Sequence, residues 1–332
     1  MNGYITLDYE LSLGNNTGTP EMCLIEPMRC LTSILNKYDI KMNIFVDAAY
    51  LLQLQNKKDQ FPQLQRDYEI VTSNIKQLDI EGHAIQLHLH PQWCYSKYDG
   101  NKWLLDKDHY KLSDMPLDQQ KQLIKDGTAL LNSLVSKKVT AFRAGGYSIE
   151  NFDELYETFL ETGINVDSSV FRGNMAKGKY NAYDYRKVPK KTSWIFKYNH
   201  KIENTTGDMK EYPISTIVVQ AVLYLINKSA KHPEFSDIKE STKNWGDGQG
   251  LGAPGGSLHK LIRKVQMIFG NKAIRASIEE SENLEKVYDY SIQHYKGDDF
   301  VIIGHPKNIS PFTISVLERF IVNHPEIRYK LF

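Results

Sequence analysis

Short apolar segments alternate with longer stretches of helical periodicity, and this alternation restricts the fold more than any other feature. The opening segment GYITLD (3–8) predicts a strand, helical spacing follows over 21–38, and IKMNIFVDA predicts the next strand. Parallel strands need crossover connections, and helices usually supply them. The chain is therefore predicted to form an α/β protein with a parallel sheet or barrel.

The same alternation continues for most of the 332 residues. Helices are predicted over 66–80, 116–136, 150–162, 276–295 and 310–323, and strands over 83–90, 138–144 and 299–305. The pattern loosens after residues 164–170, where TSWIFKYN and TIVVQAVLYL predict short strands and the glycine-rich 244–257 predicts a flexible loop. We expect one domain over 1–332 with an insertion at about 172–275.

The charge balance and the cysteine content indicate which binding partners and which cellular compartment to expect. The 41 Lys and Arg residues nearly cancel the 40 Asp and Glu residues, so no overall field favours nucleic acid or an anionic membrane. Cys23, Cys30 and Cys94 form no C-x-x-C pair and no even disulfide set. The first residues lack a secretory signal pattern, and no apolar run is long enough to span a bilayer. A cytoplasmic protein that binds no nucleic acid is predicted.

Two pairs of metal-ligand side chains lie at predicted strand ends. Asp8 and Glu10 are two residues apart, as are His88 and His90, and residues i and i+2 of a strand project to the same face. Two imidazoles with a carboxylate suit a divalent ion, with Zn²⁺ the expected one. Either carboxylate can bind the metal while the other accepts a proton from water. Hydrogen-bonded strand histidines without a metal are the alternative.

Five segments stand out in order along nearly the whole chain: TLDYE (6–10), GHAIQLHLHPQW (82–93), FRAGGYS (142–148), EYPI (211–214) and IIGHP (302–306). They resemble the motifs of the polysaccharide deacetylase (NodB-homology carbohydrate esterase) family. The likeness is strongest to the surface-polysaccharide biosynthesis branch of that family. It implies a distorted (β/α)7-type barrel with its active residues at the carboxyl ends of the strands.

The resemblance also implies roles for the two pairs. Asp8 matches the aspartate that acts as catalytic base, and Glu10 takes the place of the second, metal-binding aspartate. His88 and His90 match the metal-binding histidines. This sequence departs from the family pattern, because Tyr9 separates the two acids and the histidines are spaced i, i+2 instead of i, i+4.

Two further catalytic residues follow from the same resemblance. Arg143 matches the arginine that braces the catalytic aspartate, and His305 matches the histidine that protonates the leaving amine. Trp93, Tyr147 and Asp167 are candidates for substrate contact, with core packing or helix capping as the alternative roles.

The function implied is metal-dependent hydrolysis of a carbon–nitrogen bond, in which an acetyl group is removed from an amino sugar. The substrate is expected to be an acylated amino sugar that is nucleotide-linked, lipid-linked or polymeric. Two alternatives remain open from the sequence: a catalytically inactive barrel that binds glycans, and a metal-dependent phosphoesterase.

Overall fold

The computed structural model describes residues 1–220, 233–251 and 271–332. The strands in these ranges are β1 (Asn2–Tyr9), β2 (Asn43–Asp47), β3 (Ala84–Leu89), β4 (Lys97–Tyr98), β5 (Trp103–Leu104), β6 (Ala141–Ala144), β7 (Val166–Asp167), β8 (Met175–Lys177), β9 (Ala182–Asp184), β10 (Trp194–Phe196), β11 (Met209–Glu211), β12 (Thr216–Gln220), β13 (Asn271–Arg275), β14 (Asp299–Gly304) and β15 (Arg328–Tyr329). The described helices are α1 (Glu26–Leu35), α2 (Ala48–Lys57), α3 (Pro62–Ile80), α4 (Gln92–Tyr95), α5 (Leu117–Leu134), α6 (Phe152–Glu161), α7 (Leu284–His294) and α8 (Pro311–Asn323).

The main sheet has the order β10-β11-β7-β6-β3-β2-β1-β14, with β15 also pairing with β1. Seven consecutive strands of the described chain, from β11 to β14 in this order, pair in parallel, and β10 joins antiparallel. Hydrogen bonds outside the strands connect the two ends. The amide of Ile214 donates to the carbonyl of Val170, and the amide of Ser215 donates to the carbonyl of Val301. The predicted distorted (β/α)7-type barrel is confirmed.

Strand β1 shows how the barrel interior receives polar groups. Seven of its eight residues are buried, so both of its faces are covered. Ile5 and Leu7 belong to the hydrophobic core, whereas the alternate residues Thr6 and Asp8 both contact the guanidinium of Arg143. The period of two in a strand thus separates the core face from the face that carries chemistry.

One secondary-structure prediction was wrong, and one helix was not predicted. Residues 276–278 were predicted as helix, but Ile278 donates to the carbonyl of Ile303, and Ile303 donates to that of Ala276, beside β14. Backbone pairing with a buried strand outweighs helical periodicity there, and α7 begins only at Leu284. Helix α2 was not predicted, because its apolar start continues the β2 pattern without a turn signal.

The stretch predicted as an insertion contributes to the main sheet through β10 and β11 and forms the hairpin β8–β9 and the antiparallel strand pair β12–β13. The predicted strand over 216–225 and the glycine-rich 244–257 lie partly outside the described residues. Among the described residues, no helix has the length and apolar character needed to cross a bilayer.

Candidate active site

The candidate residues gather at one edge of the parallel sheet. Asp8, His88 and Arg143 lie in the last residues of β1, β3 and β6, while Glu10, His90 and His305 follow directly after β1, β3 and β14. Carboxyl ends of neighbouring parallel strands meet at the same edge, which is why residues so distant in sequence converge. All of them line or support one cavity of about 360 Å³.

Glu10, His88 and His90 form a cluster whose ligand atoms lie within 4.8 Å of one another. Glu10 Oε2 is 2.5 Å from His90 Nε2 and 3.2 Å from His88 Nε2. All three side chains are buried. One carboxylate oxygen and two imidazole nitrogens thus face a common point.

The surrounding contacts suit His88 to metal binding. Its Nδ1 lies 2.8 Å from the carbonyl oxygen of Arg143. A carbonyl only accepts, so Nδ1 carries the proton and donates it, and a neutral His88 offers Nε2 as a ligand. The backbone amide of His90 donates to Asp47 Oδ1 at 3.2 Å. A carboxylate and two imidazoles held in this way fit a divalent ion such as Zn²⁺.

Lys307 was not predicted as part of the site. Its Nζ donates to Glu10 Oε1 at 2.8 Å and to the carbonyl of Leu11 at 2.7 Å. Burial alone would raise the pKa of Glu10, but Lys307 and His90 outweigh burial and hold that pKa well below its ordinary value. Glu10 is therefore ionised, with one oxygen bound to Lys307 and the other directed at the histidines.

Asp8 is held by the arginine predicted to brace it. Arg143 Nη1 donates to Asp8 Oδ1 at 2.7 Å, and the same guanidinium donates to Thr6 and Ser168. The guanidinium also lies over the ring of Phe45, at 4.3 Å. Burial would raise the pKa of Asp8, but Arg143 and the nearby histidines lower it overall. An ionised carboxylate in a fixed orientation is what a general base needs.

His305 faces Asp8 and is oriented by Glu279, which was not predicted. His305 Nε2 is 3.5 Å from Asp8 Oδ2, and its Nδ1 is 2.5 Å from Glu279 Oε1. The backbone amide of His305 donates to that same oxygen at 2.7 Å. Glu279 lies in the segment predicted as helix, so sequence periodicity concealed its approach to β14.

The three candidate substrate residues occupy different surroundings. Tyr147 lines the cavity, as do Tyr110 and Arg275, which were not predicted. Trp93 is fully buried and packs against the rings of Tyr50 and Trp103 with centroids 4.7 and 5.3 Å away.

Asp167 is also fully buried, and its Oδ1 accepts a hydrogen bond from Ser169 at 2.6 Å. Neither Trp93 nor Asp167 belongs to the cavity wall. Trp93 lies in helix α4, which begins directly after the His90–Pro91 step and buries the ring in the core. The hydrogen bond from Ser169 holds Asp167 on the side of Arg143 that faces away from the cavity.

Gly145 lets the loop after β6 approach the histidines. A Cβ at this position would lie 2.4 Å from the carbonyl of Leu89 and 2.9 Å from His90 Nδ1. Only a residue without a side chain fits against the His90 ring. The first glycine of the FRAGGYS segment is thus explained by this close approach.

Comparisons with known proteins gave matches among solved structures alone. No protein-family model matches the chain, and no curated protein does. A protein from Mycobacterium smegmatis, provisionally named as a polysaccharide deacetylase, is 13% identical with a TM-score of 0.44, over 96% of this chain and 83% of that one.

Two other solved structures match over nearly all of this chain. A PuuE allantoinase is 11% identical with a TM-score of 0.45, over 98% of this chain and 84% of that one. A family 4 carbohydrate esterase (CE4) pseudoenzyme from Bacillus anthracis is 11% identical with a TM-score of 0.41, over 99% of this chain and 63% of that one. The family that the sequence motifs resemble is thus found again among these structures, whereas its surface-polysaccharide branch stays a prediction.

Proposed function

We propose that this chain is a metal-dependent hydrolase that removes an N-acyl group, acetyl in the first instance, from an amino sugar. The observation that carries the proposal is the arrangement of two adjacent units in one cavity. Glu10, His88 and His90 form a metal-ligand cluster, and Asp8 and His305 face each other beside it at 3.5 Å. A ligand set, a base and an acid are thus all present at the strand ends.

Each side chain has a definable task in amide hydrolysis. Glu10, His88 and His90 would hold the divalent ion, and Zn²⁺ is the ion that this donor set favours. When bound, such an ion polarises the acyl carbonyl and makes water more acidic. Asp8 accepts the proton of the attacking water as the new carbon–oxygen bond forms. His305 then donates a proton to the sugar nitrogen as the carbon–nitrogen bond breaks, with Glu279 orienting its ring.

The ligand count favours this reaction over phosphate-ester hydrolysis. Phosphoesterases of this kind often use two metal ions about 3.5–4 Å apart. In the part of the chain that the structure describes, one group of three potential ligands is found. The acylated sugar could be nucleotide-linked, lipid-linked or polymeric, and a cytoplasmic location favours a precursor over a finished polymer.

Metal analysis combined with an acetate-release assay tests the proposal. We expect the purified chain to bind one zinc ion and to release acetate from N-acetylglucosamine derivatives, to lose activity with a chelator and to regain it with added zinc. The double variant H88A/H90A should lose both the metal and the activity. The variant H294A, in an exposed position of α7, is the matched control and should retain both.

Two outcomes would count against a deacetylase. Metal-loaded protein that binds N-acetylated sugars without releasing acetate would favour the inactive glycan-binding barrel. Protein that binds no metal, although it is purified without a chelator, would contradict the ligand assignment.

A further inference from the structure

Arg275 is a cation in the cavity wall that has no carboxylate at ion-pair distance among the described residues. The other two cations of the site are each paired with a carboxylate, Arg143 with Asp8 at 2.7 Å and Lys307 with Glu10 at 2.8 Å. Arg275 forms no ion pair with any described residue, and its guanidinium donates one hydrogen bond, to the hydroxyl of Tyr147. The undescribed stretches 221–232 and 252–270 contain no Asp or Glu. Glu279 and Asp8 attract Arg275 electrostatically without forming an ion pair with it, and each already pairs with another group, Glu279 with His305 and Asp8 with Arg143.

The remaining donors of Arg275 are available to a ligand. Arginine has five N–H donors, and one of its nitrogens is used by Tyr147. Its position is fixed, because Arg275 pairs with Thr216 across the antiparallel strands β12 and β13, and the next amide, of Ala276, donates to the carbonyl of Ser215. A half-buried guanidinium that lines a cavity in this way is suited to bind an oxyanion.

Tyr147 is held in an unfavourable backbone conformation beside Arg275. Its φ of 62° lies in the left-handed region, which costs a residue other than glycine about 1–3 kcal/mol. Its ring packs on Phe171, with centroids 5.4 Å apart. Burial raises the pKa of Tyr147 to about 12, so the phenol is neutral near pH 7. Since its oxygen accepts from Arg275, its own proton is free to be donated to a ligand.

The charges of the site also favour an anionic ligand. Asp8 and Glu10 each have a cation of their own, whereas Arg275 lines the same cavity without a carboxylate at ion-pair distance among the described residues. A neutral sugar offers Arg275 no negative charge, whereas a phosphate or carboxylate does.

We propose that Arg275 and Tyr147 bind an oxyanion, a phosphate or a carboxylate, carried by the amino-sugar substrate. This inference rests on the proposed function, because the same substrate presents its acyl amide to Asp8 and His305. A guanidinium fork can contact two oxygens of either group, and the Tyr147 hydroxyl can supply one more donor. The substrate class is thus an acidic N-acyl amino sugar: a sugar phosphate, including a nucleotide- or lipid-linked one, or an amino-sugar acid.

Calorimetric binding to a chain that carries D8N tests this without turnover. The three ligands are N-acetylglucosamine, N-acetylglucosamine 1-phosphate and N-acetylglucosaminuronic acid. We expect at least one acidic sugar to bind about 10- to 100-fold more tightly than the neutral sugar, as hydrogen bonds to a charged group allow. The acidic sugar that binds more tightly identifies phosphate or carboxylate as the group recognised.

Further substitutions in the D8N chain then identify the residues that cause the tighter binding of acidic sugars. Adding R275M should abolish the preference without changing the affinity for the neutral sugar, and R275K should retain part of it. Y147F should reduce it by a smaller factor. R328M removes the same charge at an exposed position of β15 and should leave the preference intact.

The proposal is overturned if neutral and acidic sugars bind equally, or if R275M weakens all three ligands alike. Failure of the hydrolase assignment would look different. The acidic preference and its dependence on Arg275 would persist in D8N, while the wild-type chain would release no acetate from any of the three sugars.

Discussion

Two pairs of buried carboxyl groups lie on either side of Arg143, and the same burial affects them in opposite ways. Asp8 and Glu10 face the cavity, and their pKa values are lowered because Arg143, Lys307 and the histidines outweigh burial. Asp167 and Glu211 lie behind Arg143, and burial raises the pKa values of both. Neither forms an ion pair with a described residue, and each is fully buried.

The difference shows what makes a buried acid available for chemistry. In the cavity pair, each carboxylate has a cation at 2.7 or 2.8 Å and stays ionised. In the rear pair neither carboxyl group has a cation of the described chain at that distance, and burial favours the protonated forms of both, beside the paired strands β7 and β11. Burial alone therefore does not identify a catalytic carboxylate, and the neighbouring cation does.

Removing the charge of Asp8 should have the largest effect. We expect D8N to lower kcat/KM for acetate release by about 10²- to 10⁴-fold, the usual contribution of a general base, while the bound metal is retained. The matched variant D167N changes a carboxyl of the rear pair and should retain activity within about threefold, because it touches no substrate. Equal losses in both variants would show that the two pairs do not differ in role.

Removing the cation between the pairs should destabilise the fold. R143M leaves Asp8 buried without its guanidinium and should lower the free energy of unfolding by about 3–5 kcal/mol in urea denaturation. The double variant D8N/R143M should recover part of this loss, since the uncompensated charge is gone. A loss below about 1 kcal/mol in the single variant would contradict the role given to Arg143.

Breaking a hydrogen bond in the rear pair should cost less. Ser169 donates to Asp167 at 2.6 Å and accepts from the amide of Ala144 at 2.9 Å. S169A leaves both groups unpaired and should lower the free energy of unfolding by about 1–3 kcal/mol, with metal content unchanged. The helical variant S133A serves as control and should stay within about 0.5 kcal/mol. Loss of the metal in S169A would link the two pairs more closely than proposed.

The smallest expected effect is a change in the pH dependence of folding stability when Glu211 is replaced. Folding raises the pKa of Glu211 above its ordinary value of 4.5. Above pH 4.5 the unfolded chain loses this proton while the folded chain still holds it, so the free energy of unfolding declines as the pH rises. The stability of E211Q relative to wild type should therefore improve from pH 4.5 to 7.

D8N should show the opposite trend with pH. Because the pKa of Asp8 is lowered on folding, the stability that its ionised form contributes is present above pH 3.8 and lost below it. Relative to wild type, D8N should therefore lose stability as the pH rises through 3.8. Urea midpoints measured across this range give both trends, and parallel trends in the two variants would remove the distinction between the pairs.

Much of the site followed from local spacing. The separation by two residues placed Asp8 with Glu10 and His88 with His90, because a strand fixes which side chains share a face. Contacts from loops could not be predicted in this way. Lys307 approaches Glu10 from a turn after β14, and Glu279 reaches His305 from a segment with helical periodicity. No sequence signal distinguished Arg275 from any other arginine.

The sequence by itself determined the parallel α/β organisation and the strand ends at which the candidate residues lie, because alternation and strand period are local properties, while the barrel form followed from the resemblance of the motifs. Only the tertiary structure decided which charges are paired. It placed Lys307 against Glu10 and Arg143 between two acidic pairs, and among the described residues it left Arg275 without a direct ion pair. Electrostatic pairing depends on distances of a few ångströms between residues far apart in the chain, and those distances exist only once the barrel has closed.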